Sequence, residues 1–91
     1  MSQVCKKIRV RGRVQGVFFR SFTEQHAKAL KLSGWTCNEI DGSVSVFACG
    51  LEEQLNQLIE LLRQGPVAAR VDDLEVITAD YEEWEDFVIM R

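Results

Sequence analysis

The chain has 91 residues, 46% hydrophobic and 27% charged, with six glycines and one proline. That is enough for one ordinary domain, residues 1–91, and it excludes a disordered, fibrous or repeat protein. A formal net charge of −3 excludes a general polybasic coat for nucleic acid or membranes.

Positive charge is nevertheless concentrated: Lys6, Lys7, Arg9, Arg11, Arg13 and Arg20 lie in the first part of the chain, whereas the stretch from Asp72 onward is acidic. No apolar run approaches the roughly 20 residues that span a bilayer, and the N-terminus lacks the apolar region of a secretory signal. The expected compartment is the cytoplasm, the expected state a monomer, and neither membrane nor nucleic acid is an expected partner. Cys5, Cys37 and Cys49 form no CxxC and have no neighbouring histidine, so no metal is expected.

Val4, Ile8 and Val10 alternate with Cys5, Lys7, Arg9 and Arg11, the period of a strand with one buried and one wet face. After a glycine-bearing stretch, Ser21-Phe22-Thr23-Glu24 has the form of a capping box, with Ser21 as its N-cap. Phe22, His26, Ala29 and Leu30 share one stripe, which predicts a helix running to about Ser33 with Gly34 as its left-handed stop. His26 reads as a packed or partly exposed side chain of that helix.

Trp35 to Ile40 predicts a second strand, and Asp41-Gly42 a two-residue hairpin turn into a third strand, Ser43 to Cys49. Leu51, Leu55, Leu58, Ile59 and Leu62 recur at helical spacing and Gly65-Pro66 closes that helix. Val71, Leu74, Val76 and Ile77 predict a fourth strand, and Phe87, Val88 and Ile89 a short fifth. The acidic stretch Asp80 to Asp86 reads as a solvated loop.

The order βαββαβ, with an extra terminal strand, predicts an α+β ferredoxin-like sandwich: an antiparallel sheet ordered 4-1-3-2 with both helices on one face. In that frame Cys5 and Cys49 lie side by side on neighbouring strands, on the face without helices. A disulfide between them is sterically open; two free thiols are the alternative in a reducing compartment.

The stretch "GRVQGVFFR", residues 12–20, leaves the first strand and enters the first helix. Helix N-termini carry unpaired amides and a positive dipole end, which suit an anion. Gly12 and Gly16 allow the amides of Gln15, Gly16, Val17, Phe18, Phe19 and Arg20 to turn inward as a nest. Arg20 can add a two-pronged contact to a phosphoryl group. A glycine turn that merely reverses the chain is the competing reading of these nine residues.

The first stretch and "GWTCNEIDGSVSVFACG", residues 34–50, resemble in order and separation the two signature motifs of the acylphosphatase family. "GPVAARVDDLEV" and the terminal "FVIMR" are similar too, so the resemblance covers essentially the whole chain. It implies hydrolysis of small acyl phosphates to a carboxylate and inorganic phosphate, with no cofactor, metal or covalent phosphoenzyme. Arg20 matches the phosphate-binding arginine, Asn38 the asparagine that orients the attacking water, and the backbone of Gln15 to Phe19 the phosphate-binding loop. Phosphate or sulfate is then expected to compete with substrate. Thr36 and Cys37, just before Asn38, depart from the usual family pattern and bear on substrate preference.

Three other readings are weaker. Cys5 to Arg11 has the C-x5-R spacing of cysteine phosphatases, but it lies in an alternating strand rather than a loop opening onto a helix. RNA-recognition domains share the element order, but "SVSVFA" lacks their aromatic pattern. A phosphate sensor without turnover would not require Arg20 and Asn38 together.

Overall fold

The computed structural model describes residues 3–90. Strand β1 (Gln3–Arg13) is followed by helix α1 (Phe19–Ala29), strands β2 (Ser33–Asn38) and β3 (Val44–Leu51), helix α2 (Glu52–Gln64), and strands β4 (Arg70–Ala79) and β5 (Phe87–Met90). The five strands form one sheet ordered β4-β1-β3-β2-β5. The expected order 4-1-3-2 is present, and β5 extends it beyond β2 as a parallel neighbour. This is the ferredoxin-like α+β sandwich.

Alternation along β1 decides what each face carries. Ile8 and Val10 are buried with Val44, Val46 and Ala48 of β3 and with Leu55, Leu58 and Leu62 of α2. Full burial of each such leucine contributes about 2 kcal/mol, and α2 presents its leucines at the spacing that puts them on one stripe. Glu52 and Glu53 in its first turn and Arg63 in its last complement the helix dipole, and Gly65 at φ 69° ends it as expected.

On the opposite face Cys5, Phe47 and Cys49 form a smaller buried cluster, flanked by Trp35, Ala79 and Trp84. Cys5 and Cys49 are register partners on β1 and β3, their Cα atoms 4.1 Å apart, and a disulfide joins them. The segment before β5 is therefore more than a solvated loop. Trp84 packs onto this cluster, and the Glu82 amide donates to Cys5 Sγ at 3.3 Å.

Four local expectations need correction. Ser21 is not a cap: α1 starts at Phe19, with Phe18 in the N-cap position and no side-chain cap bond. Burial of the Phe19 ring outweighs a local capping box, and Glu24 pairs instead with Lys28 at 3.5 Å. Gly34 is not the helix stop. Lys31, at φ 61°, takes the left-handed position, the Lys31 amide donates to the Lys28 carbonyl at 3.0 Å, and the Leu32 amide donates to Ala27 at 2.9 Å. That is a Schellman closure; it ends the helix four residues early because Leu32 turns into the core.

The hairpin has a three-residue loop, not a two-residue one. Glu39 accepts from the Gly42 amide at 3.1 Å, the Glu39 amide donates to the Ser43 carbonyl at 2.8 Å, and only Gly42 takes positive φ. This matches a turn followed by a glycine bulge. Asp41 serves it by accepting from the Ser43 hydroxyl at 2.6 Å and the Ser43 amide at 2.9 Å. Gly12, finally, lies inside β1 at a bulge against β4, where a Cβ would meet the backbone of Arg70 and Asp72. It serves strand pairing rather than the loop.

Candidate active site

The segment between β1 and α1 is held by apolar pegs. Val14, Val17 and Phe19 are buried in the core, while Phe18 between them is 81% exposed. Gly16 at φ 74° and Phe18 at φ 64° bend the chain around these pegs. Among the described residues, no backbone amide of residues 16–21 donates to another group of the protein; the first helical bond runs from the Phe22 amide to the Phe18 carbonyl at 3.0 Å. An N-cap side chain would have occupied one of these donors. Here they are left open.

Asn38 reaches the same place from another strand. It ends β2, paired with Val44 of β3. Alternation puts it on the side of Gly34 and Thr36, both buried, and opposite Trp35 and Cys37. Asn38 therefore shares the helix side of the sheet with the start of α1. A cavity of about 250 Å³ is lined by Gly16, Phe18, Phe19, Arg20 and Asn38, together with Val14, Ser21 and Ile89.

The structure thus brings Arg20, Asn38, Gly16, Phe18 and Phe19 to one cavity. Val17 does not line it, because its side chain is a core peg. The Gln15 side chain turns the other way, to the β2–β3 turn, where its Nε2 donates to the Glu39 carbonyl at 2.8 Å and to the Ser43 carbonyl at 2.9 Å. Arg20 is supported by β5: its Nη1 donates to the Met90 carbonyl at 3.4 Å.

Ile89, the Met90 carbonyl and Val14 are neighbours the sequence did not assign to the site. The terminal apolar run was visible as a strand. Its position beside β2, which makes it a wall of the cavity, was not.

Electrostatically the cavity suits an anion. Its lining has one guanidinium, the open end of a helix and no carboxylate. Glu39, the acid nearest in sequence to Asn38, lines a groove on the other face of the sheet with Arg9 and Arg11. The Ser45 hydroxyl and the Cys37 thiol hold its carboxyl below the usual range. The Cys37 thiol is pushed up, first by burial and then by its hydrogen bond to Glu39, whose Oε2 is 3.4 Å away. Thr36 donates to the Ser45 carbonyl at 3.0 Å and is buried. Neither departure from the family pattern lines the cavity.

Among the described residues, no three His, Cys, Asp or Glu side chains gather as a metal set. Nor, among them, is any helix long and apolar enough to cross a membrane.

Fold and cavity together define a ferredoxin-like sandwich with a cavity, lined by Arg20 and Asn38, at the uncapped entrance to its first helix. The family model described as acylphosphatase matches residues 6–89. The chain is 43% identical over 86 residues to the acylphosphatase of Legionella pneumophila strain Corby, covering 94% of this chain and 91% of that one. An acylphosphatase structure from Bacillus subtilis superposes with a TM-score of 0.94 at 36% identity, covering 97% of this chain and 99% of the other. One from Coxiella burnetii also gives 0.94, at 35% identity, covering 97% and 93%. The chain belongs to the acylphosphatase family. Family and fold support an enzyme that hydrolyses acyl phosphates.

Proposed function

We propose that residues 1–91 act as one catalytic domain in which the open amides of residues 15–20 and the Arg20 guanidinium hold a phosphoryl group while Asn38 orients the attacking water. The observation that carries this reading is that Arg20 and Asn38, on different elements, line one cavity at an uncapped helix entrance.

These groups are sufficient for the reaction in question. An acyl phosphate releases a carboxylate whose conjugate acid has a pKa of about 4, so no general acid is needed. What remains is to fix the phosphoryl oxygens and hold a water in line with the departing oxygen, which is mostly positioning and electrostatics. A guanidinium grips two oxygens at once and stays charged throughout. An amide both donates and accepts, so Asn38 can hold a water without titrating. No side chain is required as a nucleophile, and the reaction proceeds without a covalent intermediate or a metal.

The substrate class is small acyl phosphates, with inorganic phosphate or sulfate competing for the same cradle. The protein acts as a cytoplasmic monomer. The decisive test follows benzoyl phosphate hydrolysis by ultraviolet absorbance, with inorganic phosphate added as a competitor. Turnover that phosphate inhibits competitively is expected. Absence of turnover with both benzoyl and acetyl phosphate would remove the enzymatic reading and leave phosphate recognition alone.

A further inference from the structure

We propose that the side chain of Gln15 is a positioning residue that locks the phosphate-binding loop to the β2–β3 turn, and so sets the spacing between the bound phosphoryl group and the water held by Asn38. The inference rests on the function proposed above and concerns a side chain that this function does not use.

The geometry is specific. Both hydrogens of the Gln15 amide nitrogen are spent across the base of the turn, on the Glu39 carbonyl at 2.8 Å and the Ser43 carbonyl at 2.9 Å. Each of those carbonyls already accepts one backbone bond that closes the turn, from Gly42 at 3.1 Å and from Glu39 at 2.8 Å. Gln15 fills the second lone pair of each. Because both partners are acceptors, only the nitrogen of the side-chain amide can face them.

The anchor points matter. Gln15 precedes Gly16, which lines the cavity, and Glu39 follows Asn38, which lines it from the other side. The loop and the end of β2 meet through no strand pairing, since β1 and β2 are separated by β3 in the sheet. Gln15 provides a direct tie between them. An in-line attack tolerates little drift, and a misplacement of about 1 Å costs on the order of 10² in rate.

A positioning role predicts loss of kcat with phosphate binding kept. Gln15→Met preserves length and removes both donors; Gln15→Glu preserves shape and sets a carboxylate against two carbonyls. With benzoyl phosphate, kcat is expected to fall about 10-fold or more in Gln15→Met and further in Gln15→Glu, while the inhibition constant of inorganic phosphate stays within about threefold. Wild-type kcat in Gln15→Met overturns the proposal. So does a parallel loss of kcat and phosphate affinity, which would place Gln15 in the binding cradle.

A second readout does not depend on turnover. Glu39 and Ser43 share their peptide groups with the amides of Ile40 and Val44. Addition of inorganic phosphate is expected to shift those two amide resonances in the wild type and not in Gln15→Met. Undiminished shifts in the variant overturn the coupling. Should the wild type fail to hydrolyse benzoyl phosphate, the function proposed above falls, and the phosphate-induced shifts still decide the role of Gln15. Should Gln15→Met fail to fold, rapid solvent exchange of the Gln15 side-chain amide protons in the wild type would refute the tie.

Discussion

The roles proposed for Arg20 and Asn38, one as the contact to the bound phosphoryl group and the other as the group that orients the water, make different predictions. Removing one preorganised donor costs on the order of 10² in kcat or more. Arg20→Ala is expected to lose that much and to weaken inhibition by inorganic phosphate, since in the proposed role the guanidinium also grips the ground state. Arg20→Lys restores the charge without the fork and is not expected to rescue turnover. Asn38→Ala is expected to lose kcat with phosphate inhibition nearly intact; a variant that loses phosphate binding but keeps its turnover number would refute the water-positioning role. That both residues line one cavity was only partly legible in the sequence: Arg20 at a helix entrance competed with a plain glycine turn until the family motif was read, and Asn38 was marked by that motif alone. Nothing local marks an exposed asparagine at the end of a strand, because its significance lies in what faces it. The side-chain role of Gln15 was not legible for the same reason: its partners are the carbonyls of Glu39 and Ser43, more than twenty residues away.

Among the elements, α1 shows how a local signal loses to packing. The Ser21 capping box is a sound pattern, yet the helix begins earlier because Phe19 is a core residue. At the other end Lys31 occupies a left-handed position at φ 61°, a conformation that disfavours side chains by about 1–2 kcal/mol. Lys31 is exposed, so Lys31→Gly is expected to stabilise the protein by about 0.5–1 kcal/mol after the added freedom of the unfolded glycine. The urea midpoint measures it, and an unchanged or lower midpoint would refute the strain.

The β2–β3 turn carries a pH signature. The Ser43 hydroxyl, and then the Ser43 amide, hold the Asp41 carboxyl below its usual range. A depressed folded pKa contributes stability that is present above the unfolded value of about 4 and is lost as pH falls through the lower folded value. The stability gap between wild type and Asp41→Asn is therefore expected to close as pH is lowered through that window. A gap that stays constant from neutral pH into that acid range would show that Asp41 does not act as a carboxylate.

For the whole molecule, the disulfide and the candidate site lie on opposite faces of the sheet. The disulfide closes a separation of 44 residues between β1 and β3 on the face opposite the helices, whereas the cavity lies on the helix side. A loop of that length corresponds to about 4 kcal/mol in the chain-entropy account. Reduction is expected to add the mass of two hydrogens and to lower the urea midpoint accordingly, with turnover unchanged while the protein stays folded. Reduced protein as stable as oxidised protein would remove this role. Trp84, packed on the same cluster, provides a natural fluorescence reporter for the comparison.

By itself the sequence determined the elements and their order. Alternation in β1, the leucine stripe of α2, the Gly65-Pro66 stop and the βαββαβ succession are relations between near neighbours, and they imply the sheet order through chain connectivity. They even bring Cys5 and Cys49 into register. What only the tertiary structure decided is everything that depends on one element's position against another: β5 beside β2 with its Met90 carbonyl on Arg20, the uncapped start of α1, and the Gln15 tie to the turn after Asn38. These choices are set by which side chains fill the core and which carbonyls remain free once the strands have paired, and neither quantity exists until the chain has folded.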